Sequence, residues 1–465
     1  MIYDVFSGDD DRPVHFVGIA GAGMSALAEL FARRGVKVTG CDTNPAAARA
    51  DLGRLGIDVM EGHSPAHVAG ARAVVFTSAM GRDHPELVAA REAGTPVIRR
   101  AEALGAAVSS GDVVGIAGTH GKTTTTVMTT TALRSAGLDP TGIAGGRVAE
   151  WDGNMSFGSD RLFVVEADEY DRSFLALDPA IAVVTNVEAD HLDIYTDLAD
   201  IRATFSRYVS GARAIVLCAD DSGANSLELP ATAEVIRYGL NSPDARLVAR
   251  DVRPVDGGST FAVFYDGESK CDVTLRVPGI HNVRNALAAI GSGLALGVEP
   301  VQMVDGLAAF TGVERRFQRI AEVGGVAIVD DYAHHPTEIA ATIQAARATF
   351  PGRRLVLAFQ PHLYSRTRDF APQFGTALSG ADAIFLTELY PAREKPIPGV
   401  SSDLVQQAIA AAGGTLTWRG ERPALAEALS TEVRAGDVVI TVGAGDITRT
   451  ARELRDILLS STRNS

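Results

Sequence analysis

Cysteine is scarce in this chain. Only three occur in 465 residues, Cys41, Cys218 and Cys271, far apart and without a CxxC pair. That spacing argues against a disulfide framework or a cysteine zinc site and fits a reducing cytoplasm. Long apolar runs are missing as well, since no window offers the ~18 uninterrupted apolar residues that a membrane span needs. The opening, MIYDVFSGDDDRP, is acidic and polar, the reverse of a signal peptide's basic and apolar start. Positive charge is in deficit, with 43 Lys plus Arg against 57 Asp plus Glu, a net charge of −14. No basic stripe offsets it, so nucleic acid is not an expected partner. The chain also lacks a repeat and any low-complexity tract. A cytoplasmic protein that binds neither membrane nor nucleic acid is the expectation.

Apolar material, by contrast, is ample. Hydrophobic residues make up 46% of the chain, enough for several packed cores, and the length suggests about three domains. Short β-branched runs at 14–19, 36–39, 73–77, 113–116, 162–165, 181–185, 214–217, 327–329, 355–359, 383–386 and 438–441 alternate with Ala/Leu-rich segments. Continuous rather than alternating apolar runs suit parallel strands buried on both faces, and helices between them make doubly wound α/β units. The stretch 247–277 differs. Its alternating runs around Asp256-Gly257-Gly258 and Asp266-Gly267 predict antiparallel hairpins. Breaks at Ser109-Ser110-Gly111-Asp112 and after Phe310-Thr311-Gly312 divide the chain into three α/β domains, 1–107, 108–313 and 314–465.

Two glycine clusters lie where a strand passes into a helix. Gly18-Ile-Ala-Gly21-Ala-Gly23 allows a tight turn whose following helix can hold a diphosphate, and Asp42, 19 residues beyond Gly23, is placed to bind ribose hydroxyls. Ala20 stands where GxGxxG has its middle glycine, and this cluster alone does not choose between NAD, which would make an oxidoreductase, and a nucleotide sugar. The second cluster, Gly118-Thr119-His120-Gly121-Lys122-Thr123-Thr124, is sharper. Its backbone N–H groups can wrap phosphate oxygens, Lys122 can balance β/γ charge, and a threonine hydroxyl can ligate Mg²⁺. Ile116 occupies the position of the first P-loop glycine, so the loop is a shorter relative.

Acidic strand ends follow at Glu166-Ala-Asp168-Glu169 and Asn186-Val-Glu-Ala-Asp190-His191-Leu-Asp193, where carboxylates and an imidazole could hold Mg²⁺ beside the γ-phosphate. Asn285 could read adenine with its amide, and Arg315-Arg316 could clamp a nucleotide. The segment Asp330-Asp331-Tyr332-Ala-His334-His335-Pro-Thr-Glu338 looks like a metal site, but adjacent loop histidines rarely both ligate one ion. Gln360-Pro361-His362-Leu363-Tyr364-Ser365-Arg366 suits a substrate carrying a carboxylate or phosphate. A nucleotide-dependent switch that catalyses nothing is a further possibility for the same motifs.

Taken in order, these residues resemble the Mur ligase family, ATP-dependent enzymes that form amide bonds in peptidoglycan synthesis. The resemblance covers essentially the whole chain. It implies a UDP-binding Rossmann-like N-terminal domain, a central P-loop-type ATPase domain and a Rossmann-like C-terminal domain that receives the amino acid. It further implies that ATP, with Mg²⁺, activates the lactyl carboxylate of UDP-N-acetylmuramate as an acyl phosphate, which L-alanine then attacks. On this resemblance Lys122, Glu166 and His191 are catalytic, and Thr123, Glu166 and His191 hold Mg²⁺. ATP falls to Gly118, Thr119, His120, Gly121, Lys122, Thr123, Thr124, Asn285, Arg316, Asp331 and His334. The UDP-sugar falls to Gly18, Gly21, Gly23, Asp42 and Ser78, and the amino acid to Tyr332, His362 and Arg366. Two departures stand out. Several family members carry a carbamylated lysine soon after the second metal histidine, whereas 193–208 holds no lysine, as in relatives that add alanine. Leu363 replaces an arginine common after Gln-Pro-His, which throws more weight on Arg366. A family member that attaches a ready-made tripeptide is the alternative.

Overall fold

The computed structural model describes residues 6, 10–77, 80–392 and 394–463. Three sheets follow one another along the chain. The first contains β1 (Val14–Val17), β2 (Val38–Asp42), β3 (Asp58–Glu61), β4 (Ala73–Phe76) and β5 (Val97–Arg99), ordered β3-β2-β1-β4-β5 with every pair parallel. The order reverses between β1 and β4, and ligands of open parallel sheets bind beyond the strand ends at such a switch point. The 18–23 turn leaves β1 there. β1 stops at Val17, two residues short of the predicted run, because Gly18 turns the backbone to φ +81°.

The second sheet has ten strands: β6 (Asp112–Ala117), β7 (Pro140–Val148), β8 (Gly153–Ser156), β9 (Ser159–Glu166), β10 (Ile181–Val184), β11 (Ala214–Cys218), β12 (Glu234–Gly239), β13 (Leu247–Val255), β14 (Gly258–Tyr265) and β15 (Glu268–Leu275). Their order is β15-β14-β13-β12-β11-β10-β6-β9-β7-β8. β6 sits between β10 and β9, so the glycine loop after β6 lies beside both acidic strand ends. β13, β14 and β15 form the antiparallel hairpins expected from 247–277. The third sheet contains β16 (Gln318–Val323), β17 (Val326–Asp331), β18 (Leu355–Phe359), β19 (Ala383–Thr387), β20 (Leu416–Gly420) and β21 (Val438–Val442), ordered β16-β17-β21-β18-β19-β20.

β1, β4, β10 and β18 are buried along their full length, as strands covered by helices on both faces must be. Packing under β6 is tight enough to dictate residue size. A Cβ on Gly115 would overlap the buried Tyr208 hydroxyl and come within 3.2 Å of Pro179 Cβ. Gly115→Ala is therefore expected to cost about 1–3 kcal/mol through overpacking. A fall in the thermal unfolding midpoint checks this, and an unchanged midpoint would show that Tyr208 yields freely.

Candidate active site

The loop after β6 is built by two glycines that no other residue could replace. Gly118 has φ +141° and a Cβ there would run into Thr185 and Asn186, while Gly121 has φ +82° and a Cβ would sit 2.7 Å from Asn285 Oδ1. The strand end after β10 laces the loop down. Asn186 Oδ1 accepts the His120 N–H at 2.8 Å, Asn186 Nδ2 donates to His120 O at 3.0 Å, and Thr119 Oγ1 accepts the Glu188 N–H at 2.9 Å. Gly121 then starts the helix Lys122–Ser135 with no side chain capping it, so its first N–H groups are aimed out of the loop.

Lys122 is one of only four lysines among the chain's 43 basic residues. Its Nζ donates to Gly118 O at 2.7 Å and to Glu169 Oε1 at 3.0 Å, and its charge lies 2.7 Å from Glu169 Oε2. Burial works to discharge this ammonium, but Glu169, Asp168 and Glu166 outweigh it and raise its pKa. Burial raises the Glu166 pKa, against Lys122 and the Gly145 N–H. Glu166 accepts Thr123 Oγ1 at 3.0 Å and the Gly145 N–H at 2.5 Å. His191 lies 3.5 Å from Glu169 and 3.8 Å from Asp190, and these two carboxylates raise its pKa despite burial.

Glu169, read from sequence only as one carboxylate of an acidic strand end, links Lys122 to His191. Thr123 and Glu166 are joined directly, whereas His191 is paired with Glu169 and Asp190.

A cavity of about 770 Å³ opens between the middle and third domains. Its lining includes His120, Gly121, Thr124, Asn285, Arg316 and Asp331, six of the expected ATP residues; Gly118, Thr119, Lys122 and Thr123 lie in the loop alongside, and His334 lies outside the lining. Glu338 organises the third-domain wall. Its carboxylate accepts the N–H groups of His334 at 2.9 Å and His335 at 3.2 Å, and pairs with His120 at 3.3 Å and Arg316 at 3.4 Å. Although burial opposes ionisation, these cations hold Glu338 well below the usual carboxylate range. The sequence placed Glu338 in a metal-like segment without a role of its own, although its position three residues after His335 at the start of the helix Pro336–Thr349 is a capping-box signal. Asp331 accepts the N–H groups of Phe317 at 2.8 Å and Ala333 at 2.7 Å, and burial pushes it up to about 6. His334 is pushed down to about 4 by burial and faces Tyr332 O at 2.9 Å.

The remaining expected residues fall into two groups. At the amino-acid end, Tyr332 lies under the guanidinium groups of Arg315 and Arg316, at 4.6 and 5.2 Å from its ring centre, and His362 stacks on Tyr390. Arg366 pairs with Asp190 of the middle domain at 2.8 Å, both nearly buried, while the nearby Asp369 pairs with Arg368. The crevice shared by Arg366, Asp190 and His191 has only about 10 Å³, room for one water. At the first domain, the Asp42 carboxylate ties the turn together, accepting the N–H groups of Ala20 at 3.0 Å and Asn44 at 2.9 Å. Gly18 and Gly21 form the turn, Gly23 leaves room for Arg100, whose Nη1 would lie 2.9 Å from a Cβ, and Ser78 lies outside the described residues. At the junction between domains, His191, Arg315, Phe317 and Leu363 all have positive φ, between 48° and 68°.

Comparison with known proteins covers the whole of this arrangement. Three family models match in order: the Mur ligase family catalytic domain over 13–111, the Mur ligase middle domain over 116–293, and the Mur ligase glutamate ligase domain over 315–445. UDP-N-acetylmuramate–L-alanine ligase of Cutibacterium acnes is 46% identical over 94% of both chains, and that of Renibacterium salmoninarum is 44% identical over 96% of both. Among solved structures, UDP-N-acetylmuramate-alanine ligase from Thermotoga maritima is 28% identical with a TM-score of 0.82, covering 97% of this chain and 99% of that one. A murein peptide ligase from Psychrobacter arcticus is 25% identical with a TM-score of 0.70, covering 96% and 98%.

The Glu169–His191 contact makes a pH-dependent prediction. A histidine whose pKa rises on folding lends stability that is complete below its ordinary value of 6.5 and fades as pH climbs through the raised value. Glu169→Gln removes the charge that raises it. The variant's His191 should titrate at lower pH by NMR, and the slope of unfolding free energy above pH 6.5 should flatten. An unmoved His191 titration would assign the shift to Asp190 instead.

Proposed function

The chain belongs to the Mur ligase family, and from that membership, its relatives and the site we infer that it is an ATP-dependent ligase. It joins L-alanine to the lactyl carboxylate of UDP-N-acetylmuramate, giving the amide, ADP and phosphate in peptidoglycan synthesis. The carboxylate oxygen attacks the γ-phosphorus of ATP and the bond to ADP breaks, leaving an acyl phosphate. The alanine amine then attacks the acyl carbon, phosphate departs, and the amine loses a proton. A carboxylate is a poor acylating group, and phosphorylation supplies its leaving group. The protein's share is alignment and neutralisation of phosphate charge.

The carrying observation is the glycine loop with its buried Lys122 at the mouth of the inter-domain cavity. Lys122 is the cation for the β/γ-phosphates, and the loop N–H groups take further oxygens. Asn285, deep in the cavity wall, offers its amide to adenine, with Arg316 and Asp331 across from it on the third domain. His120, Thr124 and His334 belong to the same nucleotide surroundings, His334 through its hold on Glu338. The hydroxyl of Thr123 and the carboxylate of Glu166, 3.0 Å apart, are hard oxygen donors that fit Mg²⁺, with His191 serving a second ion. Bound there, Mg²⁺ would neutralise phosphate charge. The UDP end goes to the first sheet's switch point, with Gly18, Gly21 and Gly23 making the turn and Ser78 following β4.

For L-alanine the reading rests on Arg366, with Tyr332 and His362 alongside. Arg366 shares its crevice with His191, which sets a carboxylate anchor next to the phosphate chemistry. Asp190 now occupies the guanidinium, so the alanine carboxylate takes its place as the domains part. The curated relatives at 44–46% identity are named for L-alanine addition, and among the solved structures the L-alanine ligase superposes better than the murein peptide ligase, TM-score 0.82 against 0.70, which favours the single amino acid over a tripeptide.

Phosphate release that requires both UDP-N-acetylmuramate and L-alanine tests the activity; release with the tripeptide alone would favour the alternative. Lys122→Met paired with Glu169→Gln, which removes both buried charges together, should lower kcat by about a hundredfold or more while keeping a cooperative unfolding transition. Retained turnover would take Lys122 out of the chemistry.

Arg366→Ala should raise the KM for L-alanine about tenfold or more, because losing a charge-assisted pair costs on the order of 1.5–3 kcal/mol. Asp190→Asn should spare the alanine KM. Steady-state kinetics decides: if both variants raise all three KM values alike, the pair only clamps the domains.

A further inference from the structure

Four of the chain's ten histidines, His15, His63, His67 and His84, converge on one carboxylate in the first domain, away from the glycine loop and the inter-domain cavity. That carboxylate, Glu86 at the start of the helix Pro85–Glu92, is 0% exposed, and every ion pair it makes among the described residues is with an imidazole. Its Oε1 lies 2.9 Å from His67 Nδ1 and 3.2 Å from Cys41 Sγ, and accepts the Ser64 N–H at 2.9 Å. Its Oε2 lies 3.2 Å from His63 Nδ1. A buried carboxylate without a permanent cation is costly, and four imidazoles with a thiol around it are the donors of a metal rather than of an ordinary core.

His15 supplies the second, independent observation. It is fully buried on β1, its Nδ1 bonds Thr39 Oγ1 at 2.9 Å, and its Nε2 has no hydrogen-bond partner among the described residues. Fixing one ring nitrogen on a hydroxyl while the other points into a ligand cluster is how proteins orient a metal-binding histidine. One ligand atom each from His15, Cys41, His67 and Glu86 lies within 4.8 Å of the other three. Bond lengths of about 2.3 Å to sulfur and 2.0–2.1 Å to nitrogen give a tetrahedron with edges of roughly 3.3–3.6 Å, close to the contacts seen.

We propose that His15, Cys41, His67 and Glu86 bind one Zn²⁺ ion in the first domain. Two nitrogens, a thiolate and one carboxylate oxygen select this borderline-soft ion over Mg²⁺, and the two anions cancel its charge. Binding expels the Cys41 thiol proton to solvent. His63, on the other oxygen, orients the carboxylate, and the side chain of His67, 18% exposed, offers the way in. The site also bears on the glycine turn, because Cys41 O accepts the N–H groups of Gly18 and Ile19 at 2.9 and 3.1 Å. Zn²⁺ would tie β1, β2, the 62–68 segment and the helix Pro85–Glu92 together where β1 ends. None of this depends on the ligase reading.

Cobalt titration of the full chain tests the proposal, because a thiolate ligand gives Co²⁺ a charge-transfer band and the glycine-loop cluster contains no thiol. The expected result is one equivalent of Zn²⁺ retained through dialysis, displaced by Co²⁺ with a thiolate band, and an unfolding midpoint that rises with Zn²⁺ and falls with chelator. Cys41→Ser, which keeps Cys218 and Cys271, should abolish the band, and His67→Gln should weaken binding about tenfold or more while both variants keep a native circular dichroism spectrum. No retained metal, or a thiolate band that survives Cys41→Ser, overturns the proposal and leaves a hydrogen-bonded histidine network around Glu86. If Cys41→Ser does not fold, loss of affinity in His67→Gln supports the site and unchanged affinity refutes it.

Discussion

Compensation of buried charge around Lys122 is the constraint on which the site depends. Glu166, Asp168 and Glu169 crowd the end of one strand, and a single ammonium from the neighbouring loop keeps their buried charge tolerable. That ammonium is held by Gly118 O and Glu169, which is possible only because Gly118 and Gly121 bend the backbone into conformations closed to other residues. The lysine is thereby fixed in place and desolvated. His191 completes the arrangement from the β10 side, where Glu169 and Asp190 raise its pKa against burial.

The same logic joins the domains. Glu338 of the third domain takes His120 of the glycine loop, Thr337 donates to Glu188 at 2.6 Å, and Arg366 takes Asp190. Each contact sets a third-domain group against the loop or against the strand end that laces it. The third domain thus helps to fix the loop, and His191, Arg315, Phe317 and Leu363, all at positive φ, lie along that seam. The Arg366–Asp190 pair closes that seam over a crevice of only about 10 Å³.

Much of this was legible in the residues. Apolar runs broken by glycine marked the parallel strands, because a strand buried on both faces must be apolar throughout, and the hairpins of 247–277 announced themselves by alternation. The glycine loop and Lys122 were legible because their chemistry is local: turn, phosphate cradle and cation occupy adjacent positions. Glu169 and Glu338 were harder, since their roles are set by which cation lies nearest, and that cation comes from another strand or another domain. Asp42 was read only from its spacing after the glycine turn; that its carboxylate also ties the turn together through two backbone N–H groups is visible only in the fold.

By itself the sequence determined the α/β class, the phosphate loop and the family, because these rest on local periodicity and on motifs whose parts are neighbours in the chain. Only the tertiary structure decided which buried charges meet. It gave Lys122 to Glu169, His120 to Glu338 and Arg366 to Asp190, and it gathered His15, Cys41, His67 and Glu86 although 71 residues separate the first from the last. The reason is range. Steric and turn preferences act over a few residues, whereas a buried charge is satisfied by whatever the fold packs against it, and no spacing in the chain records that neighbour.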